Sequence, residues 1–178
     1  MIGQKGHAAV SDRLKVLIVA PNASSKFGGE AFLPLKYLDL LCDRGHQARL
    51  ITHSRNRDSL SDSFPHLRDR IDYIEDTAAH RMVWNIGKRL PSRPRDVVTG
   101  AILTTLTERA QAKLVRQYVQ RAEVDVIHQP IPVSPKQPSS VYGFGVPVVI
   151  GPMNGGMNYP KGYQDFEGKF VTHAVALG

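Results

Sequence analysis

A single cysteine, Cys42, in 178 residues excludes an internal disulfide. It sits in the apolar run Leu40-Leu41-Cys42, so a buried, inert thiol is expected. Aromatic residues make up only 7% of the chain, with one tryptophan. They form no interleaved stacking pattern, so no nucleic-acid partner is expected despite a net charge of +7. No stretch approaches the roughly 18 apolar residues that a membrane-spanning helix needs. Met1 to Arg13 lack the apolar core of a signal peptide. No G-x-G-x-x-G follows the first strand and no G-x-x-x-x-G-K-[ST] occurs. The nicotinamide, flavin and P-loop classes therefore lose their usual marks. The seven histidines show no metal-ligand spacing with one another or with Cys42, so neither a metal nor a cofactor is expected.

What is present is an alternation of apolar strands and amphipathic helices. Residues 1–13 read as a flexible arm and 14–178 as one domain. Lys15-Val16-Leu17-Ile18-Val19-Ala20 is a short apolar run stopped by Pro21-Asn22, which suits a strand buried on both faces. Phe32, Leu35, Leu38 and Leu41 recur at three-residue spacing, predicting a helix that Gly45 stops. Ala48 to Thr52 is a second strand. Ser54 to Arg70 is polar and reads as a long loop; Ile71 to Ile74 is a third strand, and Ala78 to Leu90 a short helix. Residues 99–121 form the best helix in the chain, with Ile102, Leu106, Ala110 and Leu114 every four residues, flanked by Leu103, Val115 and Tyr118. Strands follow at Val124–His128 and Val146–Ile150. The pattern predicts an α/β fold, a doubly wound, mostly parallel Rossmann-like sheet. Ligands in such folds bind outside the carboxyl ends of the strands. That rule selects the loops 21–29, 128–138 and 151–160.

Each of those loops carries polar chemistry. Gly28-Gly29-Glu30 stands where a helix begins, so glycine backbone and helix-start amides converge on one spot, as a phosphate cradle requires. The alternative is a turn that needs glycine for geometry alone. His128 ends a strand and could bond a sugar hydroxyl or phosphate, or move a proton; equally, backbone carbonyls could satisfy it. His46 reads as a helix cap, while His53 could serve either purpose. Asn154, Gly155 and Gly156 follow the last strand directly, and asparagine amides suit a polyhydroxylated ligand. A basic segment with Arg81, Trp84, Lys88, Arg89, Arg93 and Arg95 fits a solvated helix face or an anionic membrane surface.

In order and spacing these pieces resemble the N-terminal domain of glycosyltransferase family 4, of GT-B architecture. The resemblance is carried by KVLIVAP, Gly28-Gly29-Glu30, the leucine-rich helix, Arg44-Gly45-His46 before ARLIT, DVIHQP, and VPVVIGP with NGG after it. It spans most of residues 15–160. It implies the acceptor-side half of a metal-independent, retaining enzyme in polysaccharide biosynthesis. Its partners would be a nucleotide-sugar donor and a saccharide or glycolipid acceptor. It places Gly28 and Gly29 near the donor diphosphate, His128 at the transferred sugar in a catalytic role, and Asn154, Gly155 and Gly156 as sugar or acceptor contacts. The family's paired glutamates belong to a C-terminal donor domain, which is expected to be absent here. The setting implied is cytoplasmic, peripheral on the inner face of the membrane. The rival reading is a non-catalytic α/β module that binds phosphate-bearing ligands or anionic surfaces.

Overall fold

The computed structural model describes residues 13–88, 92–132 and 139–153, with only the backbone over 92–98. Five strands form one sheet: β1 (Lys15–Val19), β2 (Gln47–His53), β3 (Ile71–Ile74), β4 (Val126–Gln129) and β5 (Val148–Ile150). Their order is β3-β2-β1-β4-β5, and every pairing is parallel. Among the described residues four α-helices accompany them: α1 (Gly28–Asp43), α2 (Arg57–Ser63), α3 (Ala78–Gly87) and α4 (Ser92–Gln120). The expected α/β, Rossmann-like architecture is present, and the sheet is wholly parallel.

Alternation along the strands explains the two layers. Val16 and Ile18 of β1 join Ala48 and Leu50 of β2 in a core closed by Leu35 and Leu38 of α1. Leu17 and Val19 point the other way, where Ile51, Ile127 and Val115 of α4 complete a second core. The central strand is buried on both faces, which is why it is a continuous apolar run. Helix α1 ends in a left-handed Gly45, φ +80°. Gly45 N–H donates to the Cys42 carbonyl at 2.9 Å and His46 N–H to that of Leu41 at 3.0 Å, a Schellman closure. His46 thus caps through its backbone. Cys42 is half-buried against the first core, and burial pushes its thiol pKa up, so the thiolate form is disfavoured.

Two sequence expectations need correction. The stretch 54–70 is not a loop: it holds a 3-10 turn (Ser54–Asn56), α2 and a second 3-10 segment (Pro65–Arg70). Leu60, Phe64 and Leu67 from it are buried in the α1-side core. The buried stripe of α4 is also displaced by one residue from its apolar four-residue repeat. Thr107, Gln111 and Val115 are buried at four-residue spacing, whereas Ile102 is exposed. Helix α4 begins at Ser92, earlier than the sequence suggested, and continues through 29 residues, about 43 Å. That is about twice the length of β2 and about three times that of β3. Its C-terminal part (Leu114, Val115, Tyr118) packs on the sheet, while its N-terminal part meets α3 and overhangs the carboxyl edge.

Candidate functional site

The strand order reverses between β1 and β4: β2 and β3 lie on one side of β1, β4 and β5 on the other. The loops leaving β1 and β4 therefore diverge and open a crevice at the carboxyl edge of the sheet. A cavity of about 830 Å³ occupies it. Its floor is Pro21 and Asn22 after β1, Gln129 at the end of β4 with Ile131 beyond it, and His53 at the end of β2 with Arg55 and Asn56 beyond it. Phe27, Glu30 and Ala31 at the start of α1 form one wall; Thr104, Thr107, Glu108 and Gln111 of α4 form the opposite one. A smaller cavity of about 200 Å³ lies beside it, between α3 and α4, lined by Asp76, His80 and Trp84 among others.

The glycine turn sits at the α1 wall. Gly28 has φ +73°, a left-handed conformation that glycine adopts without steric cost. Gly29 has no such requirement. A Cβ at either position would meet nothing within 4 Å, so the backbone there is open to approach. No side chain caps the helix start. The first-turn amides consequently present the positive dipole end to solvent and to the cavity mouth, with the Glu30 carboxylate in the same turn. Pro34 lies inside the same helix and has no N–H to give to the Glu30 carbonyl.

His128 faces the α1 side of the sheet, away from the α4 wall. Its ring packs edge-on against Tyr37 with centroids 4.6 Å apart. Its Nε2 donates to the Gly151 carbonyl at 3.0 Å, which ties the loop after β5 to the end of β4. The Gly151 N–H donates in turn to the Gln129 carbonyl at 3.0 Å. His128, Gly28 and Gly29 are not among the residues lining the cavity, although Phe27, Glu30 and Gln129 beside them are, and no bond joins His128 to the glycine turn. Asn154, Gly155 and Gly156 lie outside the described residues.

The sequence reading left His53 open and passed over its neighbours on the α4 side. His53 ends β2 and is 1% exposed. Its Nδ1 accepts from the Arg55 backbone N–H at 3.2 Å and from Arg55 Nε at 3.1 Å. The neutral ring therefore carries its proton on Nε2. That nitrogen is buried without a hydrogen-bond partner; Asp76 Oδ1 stands 3.4 Å away, outside hydrogen-bonding geometry. Burial first, and Arg55 second, lower the His53 pKa, so the neutral form dominates near neutral pH. His80 is fully engaged by contrast. Thr77 N–H donates to its Nδ1 at 3.2 Å in a capping box for α3, and its Nε2 meets Thr107 Oγ1 at 3.3 Å. Among the described residues, no three His, Cys, Asp or Glu side chains gather as a metal site would require. No protein-family model and no curated protein matches the chain.

Proposed function

We propose that this chain is the acceptor-side, N-terminal domain of a retaining GT-B glycosyltransferase. In this reading it takes part in moving a sugar from a nucleotide-sugar donor to a saccharide or lipid-linked acceptor. The observation that carries the proposal is the crevice between β1 and β4. An uncapped helix start with a left-handed glycine borders a cavity whose walls are rich in amides and hydroxyls. The α1 amides suit the oxygens of a departing diphosphate, whose growing charge they would stabilise without reorganisation. The amide and hydroxyl walls suit the hydroxyls of an acceptor. The groups that bind the nucleotide belong, in this reading, to a second domain, so residues 1–178 bind ligands without completing transfer. A sugar contact by His128 then requires its Nε2 to release Gly151, or its Nδ1 to serve.

The test is a binding map by amide NMR. Uridine diphosphate and guanosine diphosphate should shift the Gly28, Gly29 and Glu30 resonances selectively. Shifts scattered over the basic surface, or confined to α3, would defeat the proposal. The rival anion-binding module is favoured by one feature, Arg55 on the cavity wall; inorganic phosphate alone matching the diphosphates would support it. Peripheral membrane attachment is part of the same reading. Helix α3 exposes Met82, Trp84 and Ile86, with Arg81 and Lys88 beside them, a composition suited to an anionic interface. Vesicles rich in phosphatidylglycerol should pull the chain down at low salt, and retention in the supernatant would remove that part. No helix among the described residues is long and apolar enough to cross a membrane.

A further inference from the structure

The α4 wall of the cavity carries polar side chains where a packing ridge is otherwise apolar. Thr107 and Gln111 are 7% and 2% exposed, and Val115, next on the same ridge, is fully buried. Thr107 is matched on both sides: its hydroxyl donates to the Leu103 carbonyl at 2.9 Å and meets His80 Nε2. Gln111 is not. Its Nε2 donates a long 3.4 Å bond to Ser140 Oγ, and its Oε1 is buried with no partner. Turning the amide over exchanges its two ends and leaves the other one unmatched. Either way the side chain carries the desolvation penalty of an unmade hydrogen bond. His53 Nε2 is unmatched as well, but it stands 3.4 Å from Asp76, a residue of the smaller cavity.

The Gln111 amide pairs an unmatched acceptor with a weakly held donor, and a hydroxyl is the group that answers both. Gln111 lines the cavity with its amide oxygen buried. The terminal torsion of a glutamine is broad and soft, so a modest rotation brings its amide into reach. At the mouth, Phe27 is 73% exposed and offers an aromatic face whose negative quadrupole attracts the C–H side of a sugar ring. The charges lining the cavity are Arg55 against Glu30 and Glu108, so the cavity interior, as distinct from the amide end of α1, suits an uncharged ring.

We propose that the cavity binds an uncharged saccharide ring, with a hydroxyl filling the unmatched end of Gln111 and its apolar face on Phe27. Gln111 is then a specificity-determining residue. The inference rests on the crevice being the acceptor side, and it does not need the diphosphate contact at Gly28 and Gly29. The experiment titrates isotope-labelled chain with methyl α-glucoside, methyl α-mannoside and methyl α-galactoside in turn. In the wild type, the Gln111 side-chain amide resonances should move with at least one sugar. Gln111→Met keeps the length of the side chain and removes both amide ends. It should weaken that sugar's binding about tenfold and raise Tm by about 2–4 °C, because a buried unmatched amide is gone. A structural glutamine would instead lower Tm on the same substitution. Sugar-induced shifts that spare Gln111, or equal binding by Gln111→Met, would overturn the inference and leave the acceptor-side reading standing. No response to any of the three sugars, with uridine diphosphate still shifting Gly28 and Gly29, would overturn the saccharide site alone. Silence towards sugars and diphosphates together would overturn both.

Discussion

The two glycines at the start of α1 make opposite demands, and substituting each by alanine separates geometry from function. Gly28 is at φ +73° with no atom within 4 Å of an added Cβ. Gly28→Ala therefore meets no clash, only the left-handed backbone penalty, about 1–2 kcal/mol. For a domain of this size that lowers Tm by about 2–8 °C, at about 2–4 °C per kcal/mol. Gly29 carries no positive φ and also faces open space. Gly29→Ala removes backbone entropy from the unfolded chain and should be neutral or stabilising by up to about 1 kcal/mol. Thermal and urea denaturation of the two variants measure this difference directly. Binding of uridine diphosphate supplies the functional axis. If the diphosphate packs on this backbone, the new methyl of Gly29→Ala occupies its place, and affinity falls while stability does not. Equal destabilisation by both variants would refute the geometry of the turn. Undiminished diphosphate binding by a stable Gly29→Ala would refute the diphosphate contact.

Three other perturbations test the framework around the site. Leu60 is fully buried, so Leu60→Ala should cost about 2–5 kcal/mol in urea denaturation; a cost under about 0.5 kcal/mol would restore the loop reading of 54–70. The Tyr118 pKa is pushed up to about 12, by burial first and then by the 2.6 Å bond its hydroxyl donates to Asp72. The fold holds a proton that the unfolded chain releases near pH 10. Its contribution is whole below that pH and is lost as pH rises through about 12. After solvent screening it is on the order of 1–2 kcal/mol, and Tyr118→Phe should flatten the alkaline limb of stability against pH. The lowered pKa of His53 works the other way. Its neutral ring stabilises the fold above the usual histidine range, and that contribution is lost as pH falls through the folded value, with Arg55, Asp76, Glu75 and His80 as the groups facing it. His53→Gln should flatten the acid limb between neutrality and mildly acidic pH, and an unchanged limb would count against a buried neutral ring.

Strands were easier to read than helix faces, for a physical reason. The strands of a parallel sheet covered on both sides need near-continuous apolar runs, so Lys15–Val19 announces itself, and Gln47–His53 does so despite Arg49. The segment 54–70 hid its fold because only Leu60, Phe64 and Leu67 anchor it, spaced four and three apart within a polar background. Its short turns leave no sustained period to detect. Helix α4 misled in a different way. Its strongest apolar repeat, Ile102 to Leu114, runs along one ridge, but the sheet ends halfway along the helix. Beyond that edge the ridge turned inward meets the cavity and α3 rather than the core. Thr107 and Gln111 therefore face inward, and Ile102, one ridge away, is exposed.

The candidate site divides along the same line. Gly28 and Gly29 were legible because a turn and a helix start are local features, and local sequence fixes them. Gln111 was not, since a glutamine in a helix is ordinary until tertiary structure places it at the end of a sheet with one amide end unmatched. An apolar residue there would pack at least as well. Natural sequences break local consistency chiefly where function requires it. A buried amide that weakens its own helix packing, facing a cavity at the topological switch point, is such a break. By that argument the ridge Thr107–Gln111 carries more information about the ligand than the glycine turn. The turn would be kept by geometry alone even in a protein that bound nothing.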